Sequence, residues 1–342
     1  MLIAILGDQH MGCRKSSQLY WDYFDKFYTN IFFPKLKELG ITTIIQLGDV
    51  YDDRKNLSLD TIYKSKKLFF DKLKDITLYT LVGNHDVFHK DTNYINSPSL
   101  VLREYKNVFV YDKCYTLDFM GRKIDIIPWI NSENYEETLD FIKHSNSRIA
   151  CGHLEIHGAL LFPGHALTHG TDPNIFSNYT KVLSGHIHFR SIYQNIHYIG
   201  NPYQLNFGDE NAMRGFTILD TATLKTNFIR NPYQLYKTIY YDTNLDVFDT
   251  EQYSNCIVKI IVKKIDSTQD FDNYIDKIEA VAYSVKIIQS NDTLINTDSF
   301  TDDTMINSST LELFEEYLIG VDIGDKTNDI MNIVKTIYQK VL

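Results

Sequence analysis

Five short polar clusters carry the chemistry available to this sequence. Asp8 and His10 form the first and Asp49 the second. Asn84, His85 and Asp86 form the third, His153 the fourth, and His186 with His188 the fifth. A glycine precedes each one, in Gly7-Asp8-Gln9-His10, Gly48-Asp49, Gly83-Asn84-His85-Asp86, Gly152-His153 and Gly185-His186-Ile187-His188. Oxygen donors from Asp8, Asp49 and Asn84, with imidazoles from His10, His153, His186 and His188, suit divalent ions such as Mn2+. Seven ligands are too many for one ion that must also leave room for a substrate. If Asp49 bridges, two ions receive about four protein ligands each, and ions about 3.5–4 Å apart can clamp a phosphate and acidify a shared water. His85 has no place in that count. Beside Asn84, it is the natural acid or charge stabiliser for a phosphoryl group and its leaving oxygen. Asp49 and His85 are therefore the expected catalytic pair.

Each cluster alone has an ordinary reading. Asp-x-His after a strand is usually a turn or a helix cap, Gly83-Asn84-His85-Asp86 could be an Asx turn, and His186 with His188 could be two packed rings. Their recurrence at strand ends beside glycine is what argues for a site. His144, His157, His165, His169 and His197 do not share that pattern and are assigned no role.

The elements that must position these groups follow from periodicity. Apolar or β-branched runs at Leu2–Leu6, Thr42–Leu47 and Thr77–Val82 alternate with helical spacing at Tyr20, Phe24, Phe27, Tyr28 and Ile31, and over Leu59–Leu73. Such alternation implies a largely parallel or mixed sheet with helices on its faces. Loops at the carboxyl ends of its strands converge on one crevice. From about Val108 to Ile229 short strands dominate, with one helix near Glu133–Lys143. This is the texture of a second sheet, so residues 1–230 read as a two-sheet α/β sandwich. Asn231-Pro232 marks a boundary, and residues 231–289 read as a small α+β capping domain. A Ser/Thr/Asn/Asp-rich linker follows at 290–308, then a helical segment over 309–342 with helices at 309–319 and 326–341.

The bulk numbers set limits. With 342 residues, 44% hydrophobic, the chain can bury a large core. Its opening apolar run is a strand and no signal peptide, no stretch is long enough to span a membrane, and four scattered cysteines fit reduced thiols in a cytoplasmic protein. A net charge of −10 speaks against a nucleic-acid partner at first sight. Yet residues 291–330 hold ten Asp/Glu against one Lys, leaving the rest much closer to neutral.

The five clusters resemble the five motifs of the calcineurin-like metallophosphoesterases, from the N-terminus to about residue 210. Within that superfamily the chain resembles the SbcD-type DNA double-strand-break repair nucleases. Asp8-Gln9-His10-Met11-Gly12 is similar to their Asp-x-His-Leu-Gly opening. Gly152-His153 with Gly158 keeps their Gly-His-x-x-x-x-Gly spacing, and the stretch from Tyr198 to Glu210 looks like their Gly-Ser-Pro-x-x-Leu-x-Phe-x-Glu segment. Length and acidic tail look closest to the small nuclease subunits of T-even-type phage recombination endonucleases, which would place the protein in host cytoplasm. Asn201 stands where Ser is usual and Asn56-Leu57 replaces Pro-Ser, departures that bear on substrate contacts rather than on the ligands.

The resemblance implies a Mn2+-dependent enzyme, with Mg2+ as the alternative ion. It implies 3′–5′ exonuclease action on duplex DNA ends and endonuclease action on single strands. It further implies a homodimer built on the first helices and a partner of the SbcC type, an SMC-like coiled-coil ABC ATPase bound through the C-terminal helices. The chain has no Gly-x-x-x-x-Gly-Lys-Ser/Thr loop of its own. The same motifs serve phosphatases and small-molecule phosphodiesterases, so a substrate other than nucleic acid is the alternative. A non-enzymatic scaffold is the third reading, opposed by a competent residue at every ligand position.

Overall fold

A computed structural model describes residues 1–162, 164–242 and 249–289. The linker at 290–308 and the helices expected over 309–342 lie outside these residues. In chain order the strands are β1 Leu2–Leu6, β2 Thr43–Gln46, β3 Thr77–Leu81, β4 Val108–Tyr111, β5 Tyr115–Phe119, β6 Arg122–Ile127, β7 Ile149–His153, β8 Leu160–Phe162 and β9 His165–Ala166. They continue with β10 Lys181–Gly185, β11 Ser191–Tyr193, β12 Ile196–Tyr198, β13 Gly215–Asp220, β14 Thr226–Arg230, β15 Tyr236–Tyr241, β16 Ile257–Val262 and β17 Ser284–Gln289.

Two six-stranded sheets, ordered β14-β13-β1-β2-β3-β4 and β11-β12-β10-β7-β6-β5, form the sandwich. In the first, β1 to β4 run parallel out to one edge and β13 and β14 add on antiparallel. In the second, the four central strands run parallel and an antiparallel strand closes each edge. β1 is apolar throughout, and β2 carries Ile44 and Ile45 at its centre, because both faces are covered. Ile3, Ile5, Ile45 and Leu47 point between the sheets to meet Ile124, Ile126, Cys151 and Leu183. Ala4, Leu6 and Ile44 point the other way, under the helices Gln18–Phe27 and Phe33–Glu38. The helix Tyr135–His144 covers the outer face of the second sheet, where Ile142 packs with Ala150 and Val182.

The helix expected over Leu59–Leu73 stops at Leu68, and a 3-10 turn follows at Phe70–Lys72. Phe69 breaks it with φ −128° and ψ −61°. Phe69, Phe70 and Leu73 are all buried. Adjacent positions on a continuous helix diverge by about 100°, so the break is what turns both phenylalanines inward.

The third sheet, β15-β16-β17, is wholly parallel, and the helix Thr268–Glu279 crosses over between β16 and β17. It has its own core of Ile239, Val258, Ile260, Ile275 and Ile278. Leu235 and Tyr236, at its entry, belong instead to the core beneath the N-terminal helices. Among the described residues, no helix is long and apolar enough to cross a membrane.

Candidate metal centre

The five clusters do meet. Asp8 and His10 leave β1, Asp49 leaves β2 and Asn84 to Asp86 leave β3, all at carboxyl ends of the first sheet. His153 closes β7, and His186 and His188 follow β10, at the corresponding ends of the second. Glycine beside each cluster is a matter of space. A Cβ on Gly185 would lie 2.5 Å from Asp8 Oδ1, and one on Gly83 would strike the Asp49 carboxylate. His10, Asp49 and His186 themselves have φ of 43°, 53° and 76°, a left-handed backbone that non-glycine residues adopt at a cost.

Behind the first loop, Tyr203 stacks on Phe24 at 3.8 Å and donates its hydroxyl to Gln9 O at 2.7 Å. The buried aromatic core thus holds the Asp8–His10 turn.

The seven proposed ligands separate into two groups around Asp49. In one, His10 Nε2 lies 3.0 Å from His188 Nε2, and His188 Nε2 lies 3.7 Å from Asp8 Oδ2. In the other, Asn84 Oδ1 faces His153 Nε2 at 2.8 Å and His186 Nδ1 at 2.9 Å. Asp49 Oδ2 stands between them, 3.8 Å from His10 Nε2 and 3.4 Å from His153 Nε2. His153 Nδ1 donates to Leu47 O at 2.7 Å. In the neutral ring that leaves the Nε2 lone pair facing the Asn84 carbonyl oxygen, a pair of acceptors that a cation, an added proton or a turned Asn84 amide reconciles. Ligands on neighbouring vertices around an octahedral ion at about 2.1 Å stand about 3.0 Å apart. The donor types and their spacing therefore fit divalent metal.

Charge agrees. Burial opposes protonation of His10 and His153, but the carboxylates outweigh it. Asp52, Asp49 and Asp8 push His10 up to about 10. Asp49, with Asp8 and the Leu47 carbonyl, pushes His153 up to about 9. Asp49 is held well below the usual carboxylate range: burial works against this, and His153, His85 and His10 prevail. The site calls for positive charge.

His85 lies beside the first group, its ring 4.8 Å from that of His10. Its backbone N–H donates to Asp49 Oδ1 at 2.7 Å, and its Nδ1 donates to Asp52 O at 2.8 Å, leaving Nε2 free for a ligand.

Four residues with no role expected from sequence support the site. Asp52 touches two rings, with its carbonyl on His85 and its carboxylate 3.1 Å from His10 Nδ1. The buried Asp86 accepts from Val50 N, Tyr51 N and Gly83 N at 3.0, 3.3 and 2.9 Å, tying the second and third clusters together. Burial, with the neighbouring Asp49 charge, pushes Asp86 up to about 7. Glu155 lies 3.5 Å from His186 Nε2 and 3.3 Å from His169 Nε2, and the Trp129 ring lies 5.2 Å from that of His186. Asp86 stands inside the third cluster, Asp52 three residues after Asp49 and Glu155 two residues after His153, so proximity in sequence was the available signal. Trp129 had none. Asn201 is fully buried, which removes it from direct substrate contact.

A model of the calcineurin-like phosphoesterase family matches residues 1–190. The chain is 34% identical over 333 residues to exonuclease subunit 1 of Enterobacteria phage T4, covering 96% of each sequence. Among solved structures, a hypothetical protein from Thermus thermophilus aligns with a TM-score of 0.37 at 12% identity, over 68% of this chain and 100% of that one.

Proposed function

Since the chain belongs to the calcineurin-like phosphoesterases and is a metal-dependent enzyme, we propose that it is a two-metal DNA nuclease subunit, acting as a 3′–5′ exonuclease on duplex ends and an endonuclease on single strands. The observation that carries the two-ion reading is Asp49 Oδ2, set between the rings of His10 and His153. Asp8, His10, Asp49 and His188 would hold one ion, and Asp49, Asn84, His153 and His186 the other, Mn2+ in preference to Mg2+. Bound ions supply Lewis-acid polarisation of the phosphoryl group and a low-pKa water. The protein adds alignment and a proton. His85, oriented through Nδ1 by the Asp52 carbonyl, presents Nε2 to a phosphoryl or leaving oxygen. Asp52 and Glu155 hold the rings of His10 and His186 in place.

DNA as the substrate is supported by the identity with a phage exonuclease subunit, and by a groove of about 760 Å³ between the sandwich and the small sheet. Arg14, Lys259 and Lys286 line it with Phe207, Tyr236 and Tyr240, the mixture of cations and rings that suits a nucleic-acid strand. The separate core of the third sheet supports a domain division at 231–289. Leu59, Tyr63 and Leu100 stand exposed on the helices Leu59–Leu68 and Ser97–Val101, and Lys66 of the first reaches Glu104, three residues past the second, at 2.5 Å. That apolar surface suits a homodimer. An SbcC-type coiled-coil ATPase, binding through 309–342 in the host cytoplasm, completes the reading.

Cleavage of end-labelled duplex and hairpin DNA with Mn2+ or Mg2+, with and without the candidate ATPase, is the test. Ready hydrolysis of a generic aryl phosphodiester with intact DNA under every condition would move the enzyme to a substrate outside nucleic acid.

A further inference from the structure

One buried ion pair outside the ligand set connects the centre to the small domain. Arg214 and Asp209 are both buried, and Arg214 Nη2 donates to Asp209 Oδ1 at 2.6 Å. Arg214 Nη1 donates to the backbone carbonyl of His188. The other oxygen of Asp209 accepts from Leu205 N at 2.7 Å and Asn206 N at 3.2 Å. From this segment the bonding passes directly to β15. Gln204 Oε1 accepts from Leu235 N and Tyr236 N at 2.7 and 2.9 Å, and the Glu210 carboxylate holds the Thr238 backbone N–H and hydroxyl. Arg214 closes the circuit, since its own carbonyl accepts from Asn231 N, at the entry to the small domain, at 2.7 Å.

A buried pair is a poor means of gaining stability, because desolvating two charges offsets much of their attraction. What it fixes well is geometry: a guanidinium is a rigid planar fork that can hold two acceptors at once, which an ammonium on a flexible stem does less well. The two acceptors here are a carboxylate at the root of the small domain and the peptide carbonyl of a proposed metal ligand.

We propose that Arg214 is a positioning residue for His188, clamping the His186–His188 loop to the Asn201–Glu210 segment so that the seating of the small domain sets one ion's ligand geometry. The proposal rests on His188 being a ligand, and goes beyond that reading by adding a residue that touches neither ion nor substrate.

The test is a Mn2+ titration of the full chain, followed by calorimetry and by the electron paramagnetic resonance of bound Mn2+, beside the melting temperature. In Arg214→Met one of the two binding steps should weaken by ~10–100-fold, the usual range for losing a group that orients a ligand, while the other stays within ~3-fold. Asp209→Asn should weaken the same step, and Arg214→Lys should recover part of it. Two normal binding steps in a variant that merely melts earlier would overturn the proposal, and so would equal weakening of both steps. If Arg214→Met does not fold, Arg214→Lys and Asp209→Asn decide, and normal two-step binding in both overturns it. A parent protein that takes up fewer than two ions would overturn the two-ion reading first, before any substitution is made.

Discussion

Replacing Asp49 by Asn keeps its volume and leaves an oxygen that can still accept from His85 N, now 2.7 Å from Oδ1. What it removes is the negative charge between His10 and His153. Both rings and the carboxylate are buried, at 2%, 0% and 1% exposure, so solvent screens the loss little. Breaking a buried ionic contact by removing one partner costs about 3–5 kcal/mol. Applied to each ion, that is roughly two to three and a half powers of ten in its binding constant. Asp49→Asn should therefore depress both Mn2+ steps together, and Asp49→Ala should do so more severely, because it also frees the His85 backbone. Substitution of Asp8 or Asn84, each confined to one group, should depress one step far more than the other. Isothermal titration with Mn2+, beside circular dichroism to confirm the fold, reads this directly. Two ions bound by Asp49→Asn with near-parental affinity would refute the bridging role, and a loss confined to one step would assign Asp49 to a single ion.

His85→Ala should keep both ions and DNA while the cleavage rate falls by ~10²-fold or more; a titration showing a missing ion would make His85 a ligand. Metal uptake should release protons, because in the metal-free protein His10 and His153 hold theirs up to about 10 and 9. Near pH 7 loading should expel about two protons, and affinity should rise with pH until those values are passed; calorimetry in buffers of different ionisation heat that finds no proton release would refute this. Truncation after Asn291 should leave a folded, Mn2+-dependent nuclease that no longer co-purifies with the ATPase. Unfolding of the truncated chain would place the removed segment in the core.

The elements legible in the sequence are those buried on both sides. β1 matches its expected bounds, and β2 and β3 fall within a residue of theirs, because Leu2–Leu6, Thr43–Gln46 and Thr77–Leu81 are apolar or β-branched at nearly every position. β5, β11 and β14 leave no such signal. They are antiparallel edge strands of mixed polarity, half in solvent, and Ile192 in β11 is 65% exposed. The break at Phe69 is hidden for a different reason. Leu59–Leu73 keeps helical spacing throughout, and only the tertiary demand to bury Phe69 and Phe70 together overrides it.

The site is legible in residue type and hidden in atoms. Spacing and glycine neighbours point to Asp8, His10, Asp49, Asn84, His153, His186 and His188. They do not reveal that Asp52 serves His85 through its backbone and His10 through its side chain, nor that Asp86 turns inward to hold three amides. Those roles depend on backbone paths that only the folded chain defines. The same distinction answers the objection from net charge. The −10 of the whole chain is dominated by residues 291–330, outside the described structure. At the centre the relevant sum is local. Asp8 and Asp49 bring two negative charges into the proposed ligand shell, which two divalent ions would outweigh, while Asp52, Asp86 and Glu155 around it reduce the surplus. Arg14, Lys259 and Lys286 add three cations, against Glu210, to the groove beside the small sheet. Net charge thus says little about a phosphate at the centre, because salt screens distant charges within about 10 Å.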